Sequence, residues 1–260
     1  MLRSFDFLSL TSYLSGFWFT IMKLYGKNSV LERLKFNPQS IHRILIEQGH
    51  QDHGYISQKA RKWGIPVAAV PITQIMKLAR NHNTQGIIAD IDDFVYTSYP
   101  ELLEKAVEKN KVLVFFDGVT DPQNLGAIIR SLGCLGNFAI VLPTHDSVSV
   151  TETVLRVASG ADNYVLVSQV GNLAQAIKKA KDVGFWIVGS VVEDGENFFE
   201  TKLQFPLGLV VGSEQKGIRD VIKKHLDCKV TIPMAQPRMS FNVAQATSIF
   251  AYEIAKQKRK

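Results

Sequence analysis

Six short apolar runs, at 112–116, 138–142, 164–167, 185–189, 207–212 and 229–233, alternate with longer segments of helical pattern at 125–136, 151–158, 172–182, 218–225 and 243–257. Except at 229–233, where Lys229 and Thr231 alternate with Val230 and Ile232, these runs have no polar residue at alternate positions and mark strands buried on both faces. Strands separated by helices do not pair as hairpins, because each crossover returns the next strand parallel to the last. The expected fold class is therefore α/β, a mostly parallel sheet with helices on both faces. Ligands of such sheets bind outside the carboxyl ends of the strands, so the residues just after each run are the first candidates for a site.

A second, smaller α/β module precedes it. Helices are predicted at 28–34, 55–63 and 73–79, and strands at 42–48, 66–70 and 86–91, with Gly64 ending the second helix. This gives a domain at 22–95, a charged linker at 96–110 that forms a helix at most, and a larger domain at 111–260. Residues 1–21 are rich in Phe, Leu, Ser and Tyr, with Arg3 and Asp6 as their only charges. They are too interrupted for a membrane span and lack the apolar region and cleavage site of a signal peptide. They are read as an extension upstream of a start near Met22, with a targeting segment as the alternative. The first reading implies a cytoplasmic protein, the second an organellar one.

The net charge of +6 suits a polyanionic partner such as nucleic acid. The basic clusters Lys59, Arg61 and Lys62, then Lys178, Lys179 and Lys181, then Lys256, Lys258, Arg259 and Lys260, fit a solvated face as well as a phosphate track. Cys134 and Cys228 are the only cysteines. They exclude a disulfide framework or a cysteine zinc site and are read as buried small side chains in a reducing compartment. The six histidines show no His-Glu-x-x-His spacing, and no Ser-His-Asp arrangement has supporting spacing, so no metal is expected.

Three segments carry candidate chemistry. The first, Asp117 to Arg130, follows a predicted strand, sets Pro122, Asn124 and Gly126 in a turn, and places Arg130 on the next helix. A carboxamide followed six residues later by a guanidinium suits a phosphorylated, hydroxyl-rich ligand. The plain alternative is a helix cap and a surface charge. The second, Leu209 to Gly217, ends a strand at Gly212 and turns through Glu214 and Gly217. Glycines there permit close backbone approach, but the segment is neither a Walker loop nor a dinucleotide fingerprint. A plain strand–helix turn is the competing reading. In the third, Ile232 to Ala244, a proline-bearing loop leads to Ser240 and Asn242 at a helix start. That pair makes a polar clamp or an ordinary cap.

Together these segments resemble the SpoU (TrmH-like) family of SPOUT RNA ribose 2′-O-methyltransferases. Asn124, Gly126 and Arg130 match its first motif; Gly212, Glu214 and Gly217 its second; Ile232, Pro233, Met234, Ser240 and Asn242 its third. The resemblance runs from Tyr25 onward, and the smaller module resembles the family's substrate-binding domain, similar to ribosomal protein L30e. Within the family, the chain looks most like enzymes that methylate a guanosine ribose of large-subunit ribosomal RNA. The resemblance implies a knotted (trefoil) sheet and S-adenosylmethionine as cofactor, bound at Gly189, Gly212, Ile232 and Phe241. It implies a site of Arg130, Asn124, Glu214, Ser240 and Asn242, with Arg130 essential. It further implies an RNA partner, ribosomal or transfer RNA, and a homodimer. The third motif departs from the family at Gln236, Phe241 and Ala244, where Gly, Leu and Ser are usual. Gln236 would narrow the cofactor loop and Phe241 would reshape the adenine pocket. The competing readings are a catalytically silent RNA-binding protein on the same fold, and a nucleotide-dependent dehydrogenase or kinase that lacks the expected signatures.

Overall fold

A computed structural model describes residues 21–79, 83–213, 215–236 and 239–259. Residues 1–20 of the extension lie outside them, and its last residue, Ile21, belongs to the first strand of the fold.

The smaller domain comprises β1 (Ile21–Tyr25), α1 (Lys27–Phe36), β2 (Ile41–Glu47), α2 (His53–Arg61), β3 (Val67–Val70), α3 (Ile72–Ala79) and β4 (Ile87–Asp92). Its sheet runs β1-β4-β2-β3, antiparallel except for β2 with β3. The apolar pattern did not mark β1, because Lys23 interrupts it. In the sheet that lysine is satisfied by Asp90 on β4, at 3.0 Å.

The larger domain follows as α4 (Tyr99–Glu108), β5 (Val112–Asp117), α5 (Pro122–Leu135), β6 (Phe138–Pro143), α6 (Glu152–Ala158), β7 (Leu166–Val170) and α7 (Leu173–Asp182). It continues with β8 (Trp186–Ser190), β9 (Glu196–Asn197), β10 (Leu207–Gly212), α8 (Asp220–Lys223), β11 (Cys228–Thr231) and α9 (Val243–Lys258). All seven strands are parallel, in the order β7-β6-β5-β10-β8-β11-β9. Strand β10 is inserted between β5 and β8, so the spatial order of the strands departs from their order in the chain.

Alternate residues of each strand face opposite layers. On one face Val112, Val114 and Phe116 pack with α5, α6 and α9 through Leu125, Ile128, Leu155 and Phe250. On the other, Leu113 and Phe115 pack with α4, α7 and α8 through Leu102, Ile177 and Ile222. Helix α4 is thus a working part of the second layer: Leu102 and Ala106 are buried and the Tyr99 hydroxyl donates to the Ala176 carbonyl at 2.6 Å. Cys134 departs from its expected burial. Leu132 takes the core-facing position near the end of α5 and leaves Cys134 exposed, while Cys228 is half-buried.

The two domains share one core. Leu24, Val30 and Leu34 belong to the same apolar cluster as Val154, Leu155 and Ala158. Polar bonds lock this contact. Glu152 accepts from the Lys23 backbone amide at 2.7 Å and from the Tyr25 hydroxyl at 3.0 Å, and Arg33 donates to Asp162 at 2.6 Å.

Candidate functional site

The carboxyl ends of β5, β8, β10 and β11 converge on two adjoining cavities. The larger, of 740 Å³, opens where β8, β10 and β11 end, and is closed by the segment leading into α9. Ser190, Gly212, Ile232, Ser240, Phe241 and Asn242 line it. The smaller, of 390 Å³, lies at the ends of β5 and β6. Asn124, Asp117, Asp146 and Arg219 line it, and the two cavities share Ser213, Gln215, Lys216 and Val243 as a wall.

Local sequence explains this wall. After β10 the chain reverses tightly, with Ser213 and Gly217 exchanging backbone hydrogen bonds of 3.1 and 2.9 Å. The loop therefore folds back onto Gly212, where an added Cβ would stand 2.2 Å from the Gly217 carbonyl carbon. No real Cβ tolerates that distance, so Gly212 is a steric requirement of the wall itself.

Asn124 and Asn242 meet where the cavities adjoin. Asn242 caps α9 by accepting the Ala244 N–H at 2.8 Å, and its amide nitrogen donates to Asn124 Oδ1 at 3.1 Å. The first candidate segment differs locally from its reading as a turn. Helix α5 begins at Pro122, because Asp121 accepts the Gln123 N–H at 2.8 Å and Pro122 suits a first helical position. Asn124 and Gly126 are therefore helical. Gly126 lies against α6, where an added Cβ would meet Val157 Cβ at 2.6 Å, so it permits helix packing.

The remaining predicted residues fall as follows. Ser240, Ile232, Phe241 and Gly212 line the larger cavity. Gly189 stops one residue short of it, beneath the Leu226 side chain, and its neighbour Ser190 forms the lining. Arg130 is exposed on α5 and lines neither cavity; six residues of helix turn it about 120° from Asn124. Gln236 is exposed and outside the cavity lining, so its side chain does not narrow the cavity. Ala244 is buried at the start of α9. Glu214 lies outside the described residues.

Sequence reasoning missed a clamp. The Asp117 side chain is fully buried and accepts three bonds from Arg219: its backbone N–H at 2.7 Å, Nε at 2.7 Å, and a terminal amino group at 2.5 Å. That hydrogen-bonding, with the nearby Asp146 charge, raises the Arg219 pKa above its ordinary value. A carboxylate directly after an apolar strand was the available signal, since such a group needs a buried partner.

The match to known proteins decides the family. The SpoU rRNA Methylase family model matches residues 111–252, and a model for RNA 2′-O ribose methyltransferase substrate binding matches residues 23–97. The chain belongs to the SpoU family. A putative TrmH family tRNA/rRNA methyltransferase of Bacillus subtilis, YacO, is 31% identical, the match covering 90% of this chain and 94% of that protein. The 23S rRNA (guanosine-2′-O-)-methyltransferase RlmB of Pseudomonas aeruginosa is 30% identical, covering 91% and 96%. A tRNA/rRNA methyltransferase of Synechocystis is 36% identical, but this chain spans only 62% of its length. Among solved structures, the SpoU methyltransferase AviRb from Streptomyces viridochromogenes, in complex with AdoMet, aligns with a TM-score of 0.77 over 92% of this chain and 91% of that one. At 20% identity this is a likeness of fold. Within the SpoU family frame, the second motif builds the shared wall, the third lines the larger cavity, and the first contributes Asn124 and the packing glycine.

Proposed function

We propose that this SpoU-family protein transfers a methyl group from S-adenosylmethionine to a ribose 2′-hydroxyl of RNA, in particular of a guanosine in large-subunit ribosomal RNA. The observation that carries this reading is the Asn124–Asn242 contact between two cavities, one suited to a methyl donor and one to its acceptor.

The larger cavity fits the donor. Its volume of 740 Å³ lies in the ordinary range for small-ligand pockets. Val191, Val211, Ile218 and Phe250 offer an apolar bed for a flat base, and Glu193 and Asp194 offer acceptors for ribose hydroxyls. When bound, S-adenosylmethionine supplies an electrophilic methyl on a sulfonium, so the protein's part is to position and activate the attacking oxygen. Asn124 and Asn242 orient the ribose between the cavities. Arg130 holds the adjoining phosphate or the developing alkoxide, because a guanidinium keeps its proton and acts as a fixed charge. The 2′-hydroxyl proton then passes to a phosphate oxygen held by that charge.

A homodimer is part of the proposal. Arg130 is exposed on α5 beside α9, to which Ser131 and Ser248 tie it at 2.8 Å, and Tyr252, one turn beyond Ser248, is exposed. A second copy on this surface would bring Arg130 to a site that it does not line within its own chain. The smaller domain supports RNA binding through the face of α2 and the turn after it, where Tyr55, with Lys59 over its ring, and Trp63 are exposed at intervals of one helical turn.

The test is incubation of the protein with labelled S-adenosylmethionine and unmodified ribosomal and transfer RNA transcripts, followed by nucleoside analysis. Label in 2′-O-methylguanosine of ribosomal RNA is expected. Label confined to transfer RNA moves the substrate. RNA binding without label or calorimetric S-adenosylmethionine binding leaves the silent RNA-binding reading.

A further inference from the structure

The smaller cavity is built in a way that methyl transfer alone does not require. Its floor is the Asp117–Arg219 clamp. Asp117 is inaccessible, whereas the Arg219 side chain is 48% exposed toward the cavity. Nε and one terminal amino group are committed to Asp117, so the guanidinium plane is fixed and its other amino group is available to a ligand. Asp146 is on the same cavity and close enough to act on the Arg219 charge. Its loop is also anchored: the Val148 N–H and the Ser147 hydroxyl both donate to the Val119 carbonyl, at 2.7 and 3.1 Å. A fixed cation and an exposed carboxylate on an anchored loop thus share one cavity of 390 Å³, directly beside Asn124.

We propose that Arg219 and Asp146 read the base of the target nucleotide and select guanine, a reading that rests on the RNA methyltransferase function proposed above. Guanine presents an O6 acceptor next to N1–H and N2–H donors along one edge. The free amino group of Arg219 donates to O6, and the Asp146 carboxylate accepts from N1–H and the 2-amino group. Adenine and cytosine present a ring-nitrogen acceptor where guanine presents N1–H, and so turn a lone pair toward the carboxylate. Uracil offers a single donor there and lacks the 2-amino contact. The ribose of a base held in this cavity lies toward Asn124 and Asn242, at the wall shared with the donor cavity.

The experiment compares wild type with Asp146→Asn, a change at an exposed turn, on RNA transcripts carrying guanosine or inosine at the mapped methylation position. Inosine differs by loss of the 2-amino group only. Wild type is expected to lose roughly 5- to 150-fold in kcat/KM on inosine, the span of about 1–3 kcal/mol for a good base contact. In Asp146→Asn that penalty should largely vanish, with calorimetric affinity for S-adenosylmethionine unchanged. A purely structural role for Asp146 would not move the inosine ratio. A wild-type product other than 2′-O-methylguanosine overturns the inference while leaving methyl transfer intact. So does an inosine penalty undiminished in Asp146→Asn, or tighter RNA binding by that variant, as for a carboxylate beside a backbone phosphate. Absence of any RNA methylation by wild type removes the underlying function and the inference with it.

Discussion

Asn242 serves two neighbours with one amide. Its oxygen closes the first turn of α9 and its nitrogen holds Asn124, so the residue joins the helix that carries the third motif to the helix that carries the first. Aspartate there would keep the cap and lose the donor, because a carboxylate only accepts. Arg130 stands apart from this pair, and the part proposed for it in catalysis is electrostatic. Arg130→Ala should lower methyl transfer by about 10²–10³-fold, the usual cost of removing one donor to a developing oxyanion. Affinity for S-adenosylmethionine should be unchanged, as calorimetry would check, since Arg130 does not line the donor cavity. At this scale the sequence was informative where motif and local pattern coincide, as at Asn124, Asn242 and Gly212, all of which border the cavities. The Asp117–Arg219 clamp was not legible, because its partners are 102 residues apart and no periodicity links them.

Among the elements, the parallel strands were the easiest to read. Val112, Val114 and Phe116 face one layer while Leu113 and Phe115 face the other, so burial on both sides leaves an unbroken apolar run. Short edge strands lack that constraint. Strand β9, of two residues, and β1, with its lysine, carry no such run. The start of α5 was displaced for a related reason: Asp121 outcompetes Asn124 for the cap, and a proline can belong to a turn or to a first helical position. Gly126 then has a packing role that its place in a motif conceals. Gly126→Val should force α5 from α6 and cost about 1–3 kcal/mol as overpacking, or more if the backbone cannot relax. Thermal unfolding would measure it; an unchanged melting temperature would show that the interface yields freely.

The whole molecule behaves as two domains sharing one core, which the composition of residues 96–110 did not suggest. The charged stretch is amphipathic, and its apolar side covers the sheet. The Arg33–Asp162 pair closes the contact between domains, with side chains 8% and 1% exposed. Asp162→Ala leaves the Arg33 charge buried and unpaired, a loss of about 3–5 kcal/mol for such pairs. Urea unfolding followed by separate probes on each domain should show both transitions moving together. A shift confined to one domain would mean that the shared core does not couple them.

The wall formed by Ser213, Gln215, Lys216 and Val243 bounds both cavities. Any ligand that rearranges or stiffens that wall changes the free energy of filling the other cavity. Thermodynamic reciprocity then fixes the exchange: the factor by which RNA alters cofactor affinity equals the factor by which cofactor alters RNA affinity. In the proposed function, a partition that responds to its ligands would both separate the two reactants and let each register the presence of the other.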